Sequence, residues 1–288
     1  MKDQAENLRK IVKEVAAAKN CANSKLRSIA IVSGKGGVGK SNITVFLAKA
    51  LAMRGKKVLI FDGDVGLANL HILLGVLPKA TLTQYIKNAC PVRNLIHHVS
   101  ENIDLIPGGS GDVSPNSDLR KIIGELIDVS QEYDYLLIDG GAGISENTIR
   151  LSISSGEVIL VATPDPTSLA DAYATLKVLV SRGQKNISLL INMTQNATET
   201  ELVKSKLTMM SQKFIDFKLD FLGVLPKSEK LATLIREDIG ILSKKIGDFS
   251  LKINTVAAKI DGEENLDTNN NELKNFFAKF VQVAGGKE

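Results

Sequence analysis

Residues 34–41 have the types and the spacing that favour phosphate binding. They read Gly-Lys-Gly-Gly-Val-Gly-Lys-Ser, which fits the pattern Gly-x-x-x-x-Gly-Lys-Ser. Glycines let successive backbone N–H groups converge on an anion, and a terminal lysine and hydroxyl suit phosphates and Mg²⁺. We therefore predict that Lys40 bridges the β- and γ-phosphates and that Ser41 offers its hydroxyl to Mg²⁺. The alternative is a glycine-rich turn that binds nothing.

Three aspartates follow apolar runs that are suited to buried strands. Asp62 ends the run 58–61, Asp139 ends the run 135–138, and Asp64 comes two residues after the first of these acids. Ligands of open α/β sheets bind outside the carboxyl ends of the strands, so we expect these acids beside the phosphates. Asp62 and Asp139 are predicted to support the water shell of Mg²⁺. Asp64 is predicted to orient and deprotonate the attacking water, although both Asp62 and Asp64 could instead cap the next helix.

The elements that position these residues alternate along the chain. An apolar strand at 29–32 precedes the loop and a helix follows it. Further strands are predicted near 56–62, 103–107, 135–139, 157–163, 187–192 and 221–225, and further helices near 168–181, 198–213 and 228–236. Strands joined through helices pair in parallel. The sequence thus predicts an α/β fold with a doubly wound, mainly parallel sheet flanked by helices.

Composition limits the other classes of function. The 288 residues are 44% hydrophobic, which is enough for one substantial core, and no apolar run reaches the ~18 residues that cross a bilayer. We therefore expect a cytoplasmic protein. The net charge of +4 supports no inference of nucleic-acid binding. Cys21 and Cys90 have no metal-ligand spacing, and the adjacent His97 and His98 point in different directions, so a metal cluster is not favoured.

The two ends of the chain carry amphipathic patterns. In the segment 1–24, apolar residues over 3–15 repeat at helical spacing, and so short a helix must dock on its own domain or on a partner. Periodicity alone favours the first. The acidic, Asn-rich stretch 261–272 is predicted to be a flexible linker. The helix predicted at 273–288 could pack on its own domain, bind a partner groove or lie in a membrane interface. Its apolar face contains Leu273, Phe276, Phe277, Phe280 and Val281.

The phosphate loop resembles that of a known family. Lys35 lies five positions before Lys40, and the resulting Lys-Gly-Gly-x-Gly-Lys resembles the deviant Walker A ATPases, which include MinD and ParA. These are P-loop NTPases of the SIMIBI class, and the resemblance defines an ATPase domain at 25–260. It implies that ATP or ADP binds with Mg²⁺ and that the ATP-bound form is a homodimer. In that dimer Lys35 reaches the partner's phosphates, so we predict that Lys35, Lys40 and Asp64 act in catalysis.

The same resemblance extends the site to the strand ends that follow. It implies that Asn192 hydrogen-bonds the adenine and that the loop at Pro226 closes over the base. The loop 140–143 after Asp139 supplies backbone that can donate an N–H to the γ-phosphate. The predicted nucleotide-binding residues are Gly34, Lys35, Gly36, Gly37, Val38, Gly39, Lys40, Ser41, Asn42, Gly143, Asn192 and Pro226.

The N-terminus narrows the resemblance to one subgroup. Asp3, Gln4, Ala5, Leu8 and Arg9 are similar to the activator motif of the flagellar-number regulators called FlhG, FleN or YlxH. In that subgroup the motif stimulates the GTPase FlhF, and the C-terminal helix targets anionic membrane lipid. The resemblance therefore implies an ATPase that is weak unless stimulated by dimerisation, membrane or partner, and that is reversibly peripheral on the inner face of the cytoplasmic membrane.

The function implied by this subgroup is control of flagellar number or placement. Its implied partners are FlhF and the flagellar C-ring switch proteins of the FliM, FliN or FliY type, with nucleic acid unlikely as a partner. Three alternatives stay open. They are a MinD of cell-division site selection, a ParA-type partition ATPase, and a nucleotide-gated scaffold or transcription anti-activator with negligible turnover.

Overall fold

The sheet has eight strands in the described part of the chain. The computed structural model describes residues 26–64, 70–81, 84, 92–108, 132–237 and 247–262. The strands are β1 Arg27–Ser33, β2 Val58–Asp62, β3 His97–Ser100, β4 Ile103–Ile106, β5 Tyr135–Ala142, β6 Glu157–Ala162, β7 Ile187–Thr194 and β8 Asp220–Pro226. Their order is β3-β4-β2-β5-β1-β6-β7-β8, and every neighbouring pair is parallel except β3 with β4.

Helices cover both faces of this sheet. They are α1 Lys40–Ala52, α2 Leu70–Leu74, α3 Glu146–Ser154, α4 Pro166–Ser181, α5 Ala197–Ile215, α6 Glu229–Glu237 and α7 Gly247–Gly262, with a 3-10 turn at Val92–Leu95. Apolar residues of α1, α2, α6 and α7 pack on one face, and those of α3, α4 and α5 pack on the other. The predicted doubly wound, mainly parallel α/β sheet is confirmed.

The central strand shows why the sequence reads as a continuous apolar run. All seven residues of β1 are buried, with Ile29 and Ile31 in the core beneath α1 and Ala30 and Val32 in the core on the opposite face. A strand covered on both faces cannot alternate polar with apolar residues. The carboxyl end of β1 therefore places Ser33 and the phosphate loop, residues 34–41, at one edge of the sheet.

Strand β3 and the helices α3 and α7 were not predicted from the sequence. Strand β3 lies antiparallel at one edge and contains both histidines: the buried His97 bonds the carbonyl of Ala80 through Nε2 at 2.9 Å, and His98 Nδ1 lies 2.9 Å from Asp104 Oδ1. Helix α7 packs along α1, with the rings of Phe46 and Phe249 edge to face at 5.3 Å.

Helix α7 also runs beyond the predicted end of the domain. It continues to Gly262, so it includes the first two residues of the linker predicted at 261–272. Asp261 belongs to the folded domain because it accepts hydrogen bonds from Arg54 Nε at 2.9 Å and from the hydroxyl of Tyr135 at 3.1 Å. Within the described ranges, no helix is both long enough and apolar enough to cross a bilayer.

Candidate functional site

The phosphate loop has two glycines at positions where the surrounding atoms leave no room for a side chain. Gly39, the N-cap of α1, has φ 90°, and a Cβ there would lie 2.6 Å from the Nδ2 of Asn192. A Cβ on Gly34 would lie 2.2 Å from the backbone carbonyl of Asp171 in α4. These distances are too short for any side chain, so the loop is clamped between β7 and α4. The clamp holds the start of α1, where backbone N–H groups favour an anion.

Lys40 is buried at the start of α1 and is 8% exposed. Its Nζ donates to Ser33 Oγ at 3.0 Å, and that hydroxyl donates to the carbonyl of Lys35 at 2.7 Å. Burial lowers the pKa of Lys40, while the charges of Asp139 and Asp64 oppose this shift. An ammonium held in so little solvent gains strongly from an anionic ligand. The structure therefore places Lys40 where the sequence predicted a phosphate contact.

Asp62 and Asp139 are brought side by side by the sheet. They are register partners on the neighbouring strands β2 and β5 and are 1% and 3% exposed. Burial raises the pKa of Asp62 to about 7, helped by the charge of Asp139. Burial likewise raises the pKa of Asp139 to about 6, although hydrogen bonds from Ser41 and Thr44 act in the opposite direction. Two buried carboxylates side by side repel each other, and this fits them to the water shell of a divalent ion.

The alternative role for Asp62, capping the next helix, is also present. Its carboxylate accepts from the backbone N–H of Leu70, the first residue of α2, at 3.3 Å and from that of Asp64 at 3.2 Å. Thr44, whose hydroxyl donates to Asp139 at 3.2 Å, was not predicted from the sequence. Thr44 lies one turn after Lys40 on α1, so helical spacing from the loop was the available signal.

The raised pKa of Asp62 predicts how the stability of the nucleotide-free protein depends on pH. Because the pKa of Asp62 is higher in the folded than in the unfolded protein, its protonation stabilises the fold. This stabilisation is fully present below about pH 4 and is lost as the pH rises through about 7. Asp62→Asn is therefore expected to match the parent at pH 4 and to exceed its free energy of unfolding at pH 8 by about 4 kcal/mol, since the pKa is raised by about three units and one unit is worth about 1.4 kcal/mol.

Urea unfolding followed by circular dichroism, in EDTA and without nucleotide, measures this difference. Asp220→Asn is the matched control because its carboxylate is 68% exposed and far from the site. A stability difference for Asp62→Asn that does not change between pH 4 and pH 8 would contradict the electrostatic interpretation.

Asp64 and Gly143 both lie at the phosphate edge. A Cβ built on Gly141 would lie 3.5 Å from Asp64 Oδ1, which places the carboxylate against the carboxyl end of β5. Gly143 has φ 78°, and its N–H donates to the carbonyl of Ser33 at 3.1 Å. The N–H of Gly143, which was predicted to donate to the γ-phosphate, thus already donates within the chain. It would have to leave the carbonyl of Ser33 to bind the phosphate.

Lys35 is directed toward α4 of its own chain. Its Nζ donates to the hydroxyl of Thr167 and lies 3.5 Å from Asp165 Oδ2. Asp165 is the N-cap of α4 and accepts from the N–H of Thr167 at 2.7 Å and from that of Ser168 at 3.2 Å. Hydrogen bonds lower the pKa of Asp165 to about 2, and the bond from the Thr167 hydroxyl makes the largest contribution. The carboxylate therefore stays charged and holds a half-exposed lysine.

The ends of β7 and β8 form the part of the site where the adenine is predicted to bind. Asn192 is 5% exposed, and its Nδ2 donates to the carbonyl of Val38 at 2.8 Å. The Lys227 N–H donates to the carbonyl of Thr194 at 2.9 Å, which holds the residue after Pro226 against β7. A cavity of about 310 Å³ opens here. It is lined in part by Lys35, Val38, Pro164, Met193 and Lys227.

Met193 has an unusual backbone conformation, and Asn42 has a polar atom that is unpaired in the described part of the chain. Met193 has φ 60°, a conformation that is rare for a residue other than glycine, and no local sequence pattern predicted it. The Oδ1 of Asn42 is buried without a hydrogen-bond partner among the described residues. An unsatisfied polar atom beside the loop is consistent with the predicted nucleotide contact at Asn42.

Comparison with known proteins now defines the family. The ParA model, described as an NUBPL iron-transfer P-loop NTPase, matches residues 25–260. The chain belongs to the ParA family. With its loop, lysine and acids in place, this ParA-family chain is an ATPase of the MinD and ParA type.

The most similar relatives of this ParA-family chain include an antiactivator and a flagellum site-determining protein. The antiactivator FleN of Pseudomonas aeruginosa is 34% identical over 240 residues, 81% of the chain and 85% of FleN. The flagellum site-determining protein YlxH of Helicobacter pylori is 32% identical over 290 residues, 97% of both proteins. The resemblance to flagellar-number regulators that the N-terminus predicted is therefore confirmed.

A solved relative supports nucleotide and metal binding. The septum site-determining protein MinD of Pyrococcus horikoshii, in complex with Mg-ADP, has a TM-score of 0.68 and 26% identity, over 85% of this chain and 99% of MinD. The ParA-family chain thus has the residues and the fold for a nucleotide with Mg²⁺. Both terminal motifs, 3–9 and 273–281, lie outside the described residues and remain predictions.

Proposed function

We propose that this ParA-family ATPase controls flagellar number or placement and acts as an ATP-bound homodimer. The observation that carries the proposal is the similarity to YlxH, which extends over 97% of the chain and so reaches into both terminal segments. The similarity to FleN supports the same role. A division-site role like that of MinD stays as the second candidate, supported by the fold shared with the solved MinD.

The preference for ATP follows from the amide of Asn192. One N–H of its Nδ2 donates to the carbonyl of Val38, and the carbonyl oxygen of the amide is an acceptor that a ligand can use. That acceptor suits the 6-amino group of adenine, whereas the 6-oxo group of guanine would present a second acceptor. An unpaired buried acceptor strongly disfavours the wrong base. ATP is therefore the proposed substrate and GTP the disfavoured one.

The phosphates are held by the loop and by Lys40. Ser41 would offer its hydroxyl to Mg²⁺, and Asp62 and Asp139 would support the water shell of the ion, which would supply charge neutralisation of the phosphate oxygens. A phosphate that enters the loop gives the buried ammonium of Lys40 an anionic partner in addition to Ser33. The arrangement binds and orients the terminal phosphate before any bond breaks.

Hydrolysis uses Asp64 and a lysine from the second subunit. Water attacks the γ-phosphorus, the bond to the β–γ bridging oxygen breaks, and Asp64 accepts the proton that the water loses. Lys35 of the partner subunit stabilises the charge that develops on the phosphate. For this the lysine must first leave Asp165 and Thr167 of its own chain, so dimerisation and hydrolysis compete with a contact that the structure contains. Loss of phosphate then separates the dimer.

The ends of the chain deliver the proposed output. Residues 3–9 are proposed to bind and stimulate FlhF, and the C-ring switch proteins are proposed as further partners. The apolar face of 273–288 is proposed to insert into an anionic lipid surface on the inner face of the cytoplasmic membrane. One copy binds weakly, and two copies on a dimer multiply affinity by about 10²–10⁴. Membrane residence then reports the ATP-bound dimer.

A charge introduced on the apolar face of the tail tests this output. Phe277→Glu is expected to lower sedimentation with anionic vesicles in ATP at least tenfold, because burial of one phenylalanine is worth about 1.5–3 kcal/mol in each subunit. Nucleotide affinity should be unchanged. Asn275→Glu adds the same charge on the polar face and is the matched control. If both variants sediment equally, the tail does not bind membrane through the proposed face.

Turnover measurements separate the remaining alternatives. Phosphate release is measured with ATP and with GTP, in the presence and absence of vesicles and FlhF. Removal of residues 1–20 is expected to abolish only the stimulation of FlhF. Negligible turnover under every condition would favour the nucleotide-gated scaffold. Salt-dependent retention on nonspecific DNA would favour the partition ATPase, because only phosphate-backbone binding has that dependence.

A further inference from the structure

The cavity beside the phosphate loop is bordered in part by the first turn of α5. Gln195 and Glu199 line it together with Gly37 and Val38 of the loop. The carbonyl of Val38 accepts the 2.8 Å hydrogen bond from Asn192, which joins the loop to the end of β7. In a nucleotide the sugar connects the base to the phosphates. With the base at Asn192 and the phosphates at the loop, the sugar lies in this cavity, next to the first turn of α5.

The position of the Glu199 carboxylate is fixed by a reciprocal cap at the start of α5. The side chain of Asn196, the N-cap, accepts from the N–H of Glu199 at 2.9 Å, and Glu199 Oε2 accepts from the N–H of Gln195 at 2.8 Å. This arrangement resembles a capping box, in which two backbone donors are satisfied reciprocally. The cap uses only one carboxylate oxygen. Oε1 accepts no hydrogen bond from the described residues, so it is available to a ligand in the cavity.

Asp165 also lines the cavity, but its carboxylate is already engaged. Its Oδ1 accepts from the N–H groups of Thr167 and Ser168, and its Oδ2 lies 3.5 Å from Lys35 Nζ. Glu199, in contrast, forms no ion pair with any residue in the ranges that the structure describes. An ionised carboxylate only accepts hydrogen bonds. The free oxygen of Glu199 is therefore suited to a ligand group that donates one.

We propose that Glu199 accepts a hydrogen bond from the ribose hydroxyls of the nucleotide and makes the site selective for ribonucleotides. The 2′ and 3′ hydroxyls are neighbouring donors in a part of ATP that neither Asn192 nor Lys40 contacts. Acidic side chains hold ribose hydroxyls in other α/β nucleotide sites. A hydrogen bond to an ionised acceptor is stronger than a neutral one, and its loss leaves the acceptor unpaired. The inference rests on the proposed use of ATP and adds the sugar to the groups that the chain recognises.

Calorimetric titration of the full chain with Mg²⁺ tests this contact. The ligands are ADP and 2′,3′-dideoxy-ADP, which lacks both hydroxyls, because diphosphates report binding without hydrolysis. The parent is expected to bind ADP at least about tenfold more tightly, since a hydrogen bond to a charged group is lost with the dideoxy ligand. In Glu199→Ala the ratio of the two affinities is expected to fall below about twofold, because removal of either partner of one contact has the same effect. Affinity for dideoxy-ADP should change little.

Two further variants separate a contact with the sugar from a role in the fold. Asn196→Ala removes the other half of the cap at a side chain outside the cavity lining, and it is expected to keep the discrimination of the parent. Glu199→Gln keeps an oxygen for the N–H of Gln195 but removes the charge. Its affinity ratio is expected to lie between those of the parent and Glu199→Ala. Circular dichroism checks that each variant is folded.

Three results would each overturn the ribose contact and leave the proposed ATPase function intact. They are a parent that binds both ligands equally, a ratio that Glu199→Ala leaves unchanged, and an equal loss of discrimination in Asn196→Ala. A chain that prefers GDP to ADP would instead refute the proposed preference for adenine. The same comparison with dideoxy-GDP then still decides the role of Glu199.

Discussion

Asp64→Ala is expected to lower ATP turnover at least about 100-fold, because a positioned general base contributes about 10²–10⁴ to the rate. ATP binding should persist, since Lys40, Ser41 and the loop are untouched. Affinity is even expected to rise slightly, because Asp64 adds a like charge to the buried Asp62 and Asp139. A variant that binds ATP without hydrolysing it should accumulate as a dimer.

Phosphate release and analytical gel filtration with ATP measure the two expectations. Asp220→Ala, at an exposed carboxylate far from the site, is the control for general damage. Turnover within threefold of the parent would remove Asp64 from the mechanism. A variant that stays monomeric and loses ATP binding would instead show that Asp64 holds the site together.

Mixing two inactive variants should restore activity. Lys35→Ala and Asp64→Ala are each expected to be inactive alone. In a mixed dimer, the site of the Lys35→Ala subunit keeps Asp64 and receives Lys35 from its partner. Equal amounts that pair at random should therefore recover about a quarter of the parent turnover, by the logic of a charge supplied in trans.

The mixture distinguishes trans from cis directly. If Lys35 acted within its own subunit, one site of the mixed dimer would lack the lysine and the other would lack the aspartate, and no activity would return. Thr167→Val provides a separate check, because it removes a partner of Lys35 in the free subunit. It is expected to lower the ATP concentration needed for dimerisation while leaving the fully dimeric rate unchanged.

The fold and the phosphate loop were predictable from the sequence because local patterns determine them. A continuous apolar run predicts a buried parallel strand, and the spacing of Gly39, Lys40 and Ser41 predicts the loop without knowledge of distant contacts. The acids Asp62 and Asp139 were placed correctly by the same logic, since each ends such a run. Their register as neighbours across β2 and β5 required the structure.

What sequence reasoning missed depends on contacts between distant residues. Strand β3 is short and contains His97 and His98, and its pairing with β4 compensates for weak strand propensity. The contact of Lys35 with Thr167 joins residues 132 positions apart, and Asn192 donates to Val38 across 154 positions. Such pairs leave no periodic signal within one segment. The position of Asp261 inside α7 was missed because acidic and polar neighbours follow it in the sequence.

The order of strands sets when the protein can first bind nucleotide during its synthesis. Strand β1 is made early, but its neighbours in the sheet are β5 and β6, more than a hundred residues later. The loop is further clamped by Asp171 and Asn192, and α1 is covered by α7 at the end of the domain. Nearly the whole domain must therefore leave the ribosome before the loop acquires its shape. A nascent chain that is cut short before α7 is expected to require chaperones and to bind no ATP.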